Sequence, residues 1–192
     1  MAMRSLIKPI AFLVISLAGT VSVQALNKTN NMVPTSSIHG LSSTLSYLQK
    51  HSDLPVVFPQ VMPKPVNDTE YYAYLEPAQI NYNHGYQIDI DTTADCHGVK
   101  VCNVGSFSLQ QGAKISLQQD MNNKNITVQI KTPMHAMLYF TPSHAMGDYW
   151  PAMIQWVDNG VLFNIAWKAP KVKTEQNQLM QMANTIIVPE IH

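Results

Sequence analysis

The spacing of apolar residues along the chain changes character five times, and each change marks a segment of a different kind. Ile10 to Val23 is uncharged and mostly apolar, with Arg4 and Lys8 ahead of it and Val23-Gln24-Ala25 closing it. A basic start, an apolar middle and small residues in that order predict a cleavable secretory signal, cut after Ala25. The apolar stretch from Ile10 to Ala18, with Ser16 within it, is well short of the roughly 20 residues that span a bilayer. No Cys stands at the cut, which argues against a lipid-anchored lipoprotein. Residues 26–37 are polar and are expected to be a disordered segment. Gly40 to His51 carries Leu41, Leu45 and Leu48 at helical spacing, so a short amphipathic helix is expected there. Leu54 to Pro65 contains Pro55, Pro59, Pro63 and Pro65, which excludes a central strand. Val56, Val57, Phe58 and Val61 make that segment apolar enough to tether it to a core.

From Glu70 onward the period becomes that of strands. Tyr71 to Leu75, Tyr86 to Asp91, Gly105 to Gln110, Lys114 to Gln119, Asn125 to Lys131 and Met134 to Phe140 all read as β. Ile126, Val128 and Ile130 alternate with Thr127, Gln129 and Lys131, the pattern of a half-buried antiparallel strand. Asp158-Asn159-Gly160 separates Met153–Val157 from Val161–Trp167, and Asn-Gly favours the positive φ angles of a tight hairpin turn. A last helix is expected with Thr174 as its cap and Leu179, Met182, Ala183 and Ile186 as its stripe. A helix, many strands and a helix predict an α+β fold. Its antiparallel sheet has an N-terminal and a C-terminal helix packed on it, all within one domain over 38–192.

Charge narrows the function classes. Lys+Arg 12 balance Asp+Glu 12, charged residues are only 12%, and the polarity comes largely from 14 Asn and 14 Gln. Cleavage after Ala25 removes two of the 12 basic groups and none of the 12 acidic ones, leaving a net charge of −2 and no Arg. A nucleic-acid partner is therefore disfavoured, because phosphate binding relies on Lys and Arg. With 46% hydrophobic residues the chain can form a core, which excludes a disordered acidic tail. No second apolar run is long enough to span a membrane, so an integral membrane protein is not expected.

Cys96 and Cys102 are the two cysteines. In an exported chain an even pair this close reads as one disulfide, with Gly98 supplying the turn between them. Closing so short a loop contributes about 2.4 kcal/mol on chain-entropy grounds. The rival readings are a redox pair, for which C-x-x-C is the usual spacing, and a metal site, which would be one ligand short.

Several segments together carry a family resemblance. They include Leu54-Pro55-Val56-Val57-Phe58-Pro59, Gly85-Tyr86-Gln87-Ile88, Cys96-His97-Gly98-Val99-Lys100-Val101-Cys102 and Gly105-Ser106-Phe107-Ser108. Ile154-Gln155-Trp156, Gly160-Val161-Leu162-Phe163-Asn164-Ile165 and Met182-Ala183-Asn184-Thr185-Ile186-Ile187 follow in the same order. In that order the chain resembles a group of uncharacterised exported domains of cyanobacteria and Gram-negative bacteria. Its C-terminal part is similar to sensor-like domains of bacterial envelope proteins. The resemblance implies a fold and an export route, periplasmic or secreted, and no reaction. Such sequences often carry a second Cys pair where this chain has Ser143-His144-Ala145-Met146.

Candidate chemistry concentrates between Pro133 and Trp156. Tyr139, His144, Tyr149, Trp150 and Trp156 are the aromatic and polar positions expected to form a ligand or partner surface, because rings with polar tips suit partly wet contacts. His135, Met137, His144 and Met146 offer the soft imidazole and thioether set of copper sites, and copper binding is the alternative function. Asp89 and Asp91 flank Ile90 on one strand face, with Asp95 further on. That spacing suits paired-carboxylate or Ca²⁺ chemistry and also follows from strand alternation alone. The nucleophile-elbow, zincin, P-loop and dinucleotide motifs are missing. The expectation is a non-enzymatic exported domain without a cofactor, binding a protein or glycan partner in the envelope or outside the cell.

Overall fold

The computed structural model describes residues 31–67, 69–76, 84–99, 101–115, 124–129, 135–140, 151–168 and 172–188; for 124–129, 135–140 and 172–176 the description is of the backbone. Nine strands are found among these residues: β1 Met32–Pro34, β2 Val61–Pro63, β3 Tyr72–Leu75, β4 Gly85–Asp91, β5 Asn103–Gln111, β6 Lys124–Gln129, β7 His135–Phe140, β8 Ala152–Asp158 and β9 Val161–Trp167. Two α-helices join them, α1 Leu41–His51 and α2 Val172–Asn184. The mixed α+β class expected from the sequence is the one observed.

Asn159 and Gly160 adopt φ of 48° and 78°, and Asp158 pairs with Val161 across them. Glycine and asparagine reach this left-handed region at low cost, so the tight turn fixes the β8–β9 register. Seven strands form one antiparallel sheet in the order β3-β4-β5-β9-β8-β7-β6. The chain runs β3 to β5 as a meander, crosses to the far edge, and returns through β6, β7 and β8. β9 then lies against β5.

Alternation divides this sheet into two unlike faces. Tyr86, Ile88 and Ile90 of β4, Phe107 and Leu109 of β5, Phe163 and Ile165 of β9, and Ile154 and Trp156 of β8 are buried in one apolar cluster. Leu41 and Leu48 of α1 and Leu179, Met182 and Ala183 of α2 belong to the same cluster. Helix α1 lies against β3, and α2 against β2, β8 and β9. Gly105 is required at its position: a Cβ there would lie 2.4 Å from Trp167 Cε3 and 2.5 Å from the Ala166 carbonyl. The missing side chain lets the Trp167 ring, which meets Tyr71 edge-on at 5.7 Å, lie over β5.

The proline-rich segment is held to the apolar face by specific bonds. The Tyr86 hydroxyl accepts from the Val57 N–H at 3.1 Å and sits 3.2 Å from the Pro55 and Val57 carbonyls. Burial raises its pKa above the usual phenol range, so the hydroxyl keeps its proton. The Gln60 N–H donates to Thr185 Oγ1 at 3.1 Å, just beyond α2.

Three expectations need correction. Residues 32–37 are not disordered: they form β1 and one 3₁₀ turn. β1 pairs with β2, and Thr35 N–H donates to the Gln60 carbonyl at 3.0 Å. Three residues are too few to show a period, and their backbone bonds come from the distant arm. Helix α2 begins at Val172, so Thr174 lies inside it rather than capping it, and Ile186 lies beyond its end. Lys114 and Ile115 are in no strand; the remainder of the strand expected over 114–119 is outside the described residues, as is the expected signal segment 1–25.

Candidate functional site

The second face of the sheet carries a band of amides and hydroxyls between apolar positions. The alternate positions of the same strands are Gln87, Asp89 and Asp91 of β4, Ser106, Ser108 and Gln110 of β5, Leu162, Asn164 and Ala166 of β9, and Met153, Gln155 and Val157 of β8, with Leu162 and Ala166 buried. The register places Gln87 opposite Ser108, Ser108 opposite Asn164, and Asn164 opposite Gln155. One polar row therefore crosses four strands. Asn164 ties it together, accepting from Gln155 Nε2 at 3.1 Å and donating to Ser108 Oγ at 3.5 Å. Gln155 is only 7% exposed, while Gln87, Ser108 and Asn164 are half-buried.

The row opens into a shallow depression of about 220 Å³ lined by His84, Gly85, Tyr86, Gln87, Ser108, Leu109 and Gln110. Gly85 shapes its floor, because a Cβ there would lie 2.5 Å from the Leu109 carbonyl oxygen. The close approach of β4 to β5 excludes any larger residue. His84 and Gln110 stand exposed at the rim.

Carboxylates occupy the corner between β3, β4 and the disulfide loop. Cys96 and Cys102 are bonded, and the loop they close is fastened to β4 by Asp91. That carboxylate accepts from the Gly98 N–H and from Asn103 Nδ2, each at 3.0 Å, and is fully buried. Gly98 has φ of 75°, and a Cβ on it would meet Asp89 Oδ2 at 2.9 Å. Asp89 is 6% exposed and accepts from Gln87 Nε2 at 2.8 Å. Burial pushes its pKa from 3.8 up to about 6. The Gln87 amide opposes that rise, and the nearby charges of Glu76 and Asp91, with a hydrogen bond to Glu76, add to it. The two aspartates share a face, as their spacing predicts, yet both are turned under the loop. Asp91 anchors Gly98 by its N–H, and Asp89 packs beside the same glycine.

The half-buried rings of Tyr72 and Tyr74 on β3, each beside an exposed histidine, border this corner. His39 stacks on Tyr72 with centroids 5.0 Å apart, and Tyr74 meets His97 at 4.9 Å. Tyr72 donates to Glu70 Oε2 at 3.1 Å, and His39 Nε2 lies 3.2 Å from the same oxygen. The Tyr74 hydroxyl donates to the Ala94 carbonyl.

The residues singled out from the sequence fare unequally. Trp156 is not a surface residue: it is 2% exposed and stacked on Phe163 with centroids 5.0 Å apart. The Asn-Gly turn sets it opposite Phe163 on the apolar face, and this removes it from the expected contact surface. Tyr139 lies in β7 opposite Met153, and Met137 opposite Gln155, so that strand continues the row's register. His135 is the first residue of β7. His144, Met146, Tyr149 and Trp150 lie outside the described residues. Among the described residues no group of three or more His, Cys, Asp or Glu is placed to hold a metal ion. No described helix is long and apolar enough to cross a membrane.

Sequence reasoning did not single out Ser108, Gln110 or Asn164. Their signal was present as the polar half of each alternating strand, but the pairing of β5 with β9 could not be read from it. No protein-family profile, curated protein or solved structure matches the chain.

Proposed function

We propose that this chain is an exported, non-enzymatic binding domain whose contact surface is the polar face of its seven-stranded sheet. The observation that carries the reading is the row Gln87, Ser108, Asn164 and Gln155, hydrogen-bonded from Ser108 to Gln155, which leads into a depression on that face. Such a row orders several donors and acceptors in advance, and preorganised polar groups lower the ordering cost of binding. In this reading α1, near the start of the domain, and α2, near its end, cover the apolar face, and the accessible part of the other face, around Gln87, Ser108 and Gln110, is left for the ligand. The disulfide, the secretory-type segment before Ala25 and the resemblance to exported bacterial domains support export to the periplasm or beyond. The amide-rich surface recognises an uncharged partner, with no reaction and no cofactor.

The test is a quantitative pull-down from envelope and culture fractions with the full chain and two variants. Gln110→Glu places a charge at the rim of the depression, and Ile187→Glu places one at an exposed site after α2. Capture lost in the first variant and kept in the second is the expected result. Equal capture by all three overturns the assignment of the face.

A further inference from the structure

We infer that the polar face takes a neutral saccharide chain, with one sugar ring seated in the depression beside Gln87, Ser108 and Gln110. The inference rests on the binding-domain reading above and names its ligand class. Charge is the first argument. β4, β5, β8 and β9 contain no Lys or Arg, and Lys168, just past β9, turns its ammonium to the Asn103 carbonyl at 2.6 Å, so an anionic ligand in the depression has no Lys or Arg among the lining residues to meet it. A cationic ligand fares no better, since Asp89 and Asp91 are buried beneath the disulfide loop. An apolar ligand in the depression would strip water from Gln87, Ser108 and Gln110 without replacing their hydrogen bonds, which is costly.

What remains is an uncharged ligand rich in hydroxyls, and the spacing of the row suits it. Neighbouring strands lie about 4.8 Å apart, so the row offers one amide or hydroxyl per strand at that interval. That interval is close to the length of one ring in an extended pyranose chain, so the ring beside Gln87 and Ser108 is followed by one that meets Asn164. Side-chain amides donate and accept at once, as sugar hydroxyls do. The depression of about 220 Å³ gives the terminal ring a seat, with His84 and Gln110 at its rim. Gln155, 7% exposed, closes the row at the other end. An extended peptide would instead pair its backbone with a sheet edge.

The test is ¹H–¹⁵N NMR titration of the exported chain with neutral β-1,4-linked glucose and N-acetylglucosamine oligomers, beside an acidic oligogalacturonate. A neutral oligomer should give saturable shifts in the Gln87, Gln110 and Asn164 side-chain amides, and the acidic one should give none. Ser108→Ala and Gln110→Ala should each bind roughly two- to tenfold more weakly, the equivalent of one hydrogen bond. Gln110 is exposed, so its variant keeps the test valid if Ser108→Ala folds poorly. Absence of saturable shifts at millimolar concentration of either neutral oligomer, or shifts confined to other surfaces, overturns the inference. If Gln110→Glu still abolishes capture in the pull-down, the binding face stands and its ligand is a protein. If it does not, both readings fall.

Discussion

Replacing Asp89 with Asn should stabilise this protein at neutral pH and leave it nearly unchanged in acid. The carboxyl is 6% exposed and its pKa rises from 3.8 to about 6 on folding, chiefly through burial. Between those two values the folded chain holds a proton that the unfolded chain has released. Wild-type stability is therefore complete below about pH 4 and falls as pH climbs toward about 6, where the loss levels off. The gap between 3.8 and about 6 corresponds to at most about 3 kcal/mol, at 1.36 kcal/mol per pH unit. Asn keeps an oxygen to accept the Gln87 amide and gains an amide to donate toward Glu76. Near pH 4 the variant should gain less than about 1 kcal/mol, and near pH 7.5 up to about 3 kcal/mol. Urea unfolding of the disulfide-bonded chain, followed by tryptophan fluorescence, measures both, since Trp156 and Trp167 lie in the core. Taking the variant minus wild type cancels the titrating groups that do not interact with Asp89. A difference independent of pH, or a variant less stable than wild type at neutral pH, would refute the buried-carboxyl argument.

Other perturbations test separate parts of the structure. Tyr86→Phe leaves the buried Val57 N–H without its acceptor and should lower stability by about 1–3 kcal/mol in thermal melts; an unchanged melt would mean that this hydroxyl does not hold the arm. Gly105→Ala drives a methyl into Trp167 and should cost about 1–3 kcal/mol while altering tryptophan emission. Replacing Cys96 and Cys102 together by Ala should lower the urea-derived stability by about 2.4 kcal/mol, and a smaller loss would show that Asp91 secures the loop without the bond.

Much of the fold was legible because local rules and tertiary packing agree. The Asn-Gly hairpin, the alternation of Tyr86, Ile88 and Ile90, and the leucine spacing of α1 each have a local cause, and each element formed where its pattern lies. Failures came where partners are distant in sequence. β1 is ordered by an arm about thirty residues away, and Trp156 reads as an aromatic surface residue until its strand is paired with β9. The candidate site was less legible still. Every residue of the polar row follows ordinary strand alternation, and only the adjacency of β4, β5, β9 and β8 assembles them. That adjacency depends on β9 pairing with β5 after a long excursion through three other strands.

The central claim is that the polar sheet face is where this protein meets its partner. A photo-crosslinking amino acid in place of Gln110, expressed in the full chain within the native host, tests it most directly. Val66 and Ile187, both exposed, serve as positions away from the row. A discrete adduct formed from position 110 and from neither control is the predicted result. No adduct from position 110, or the same adduct from all three, would contradict the claim.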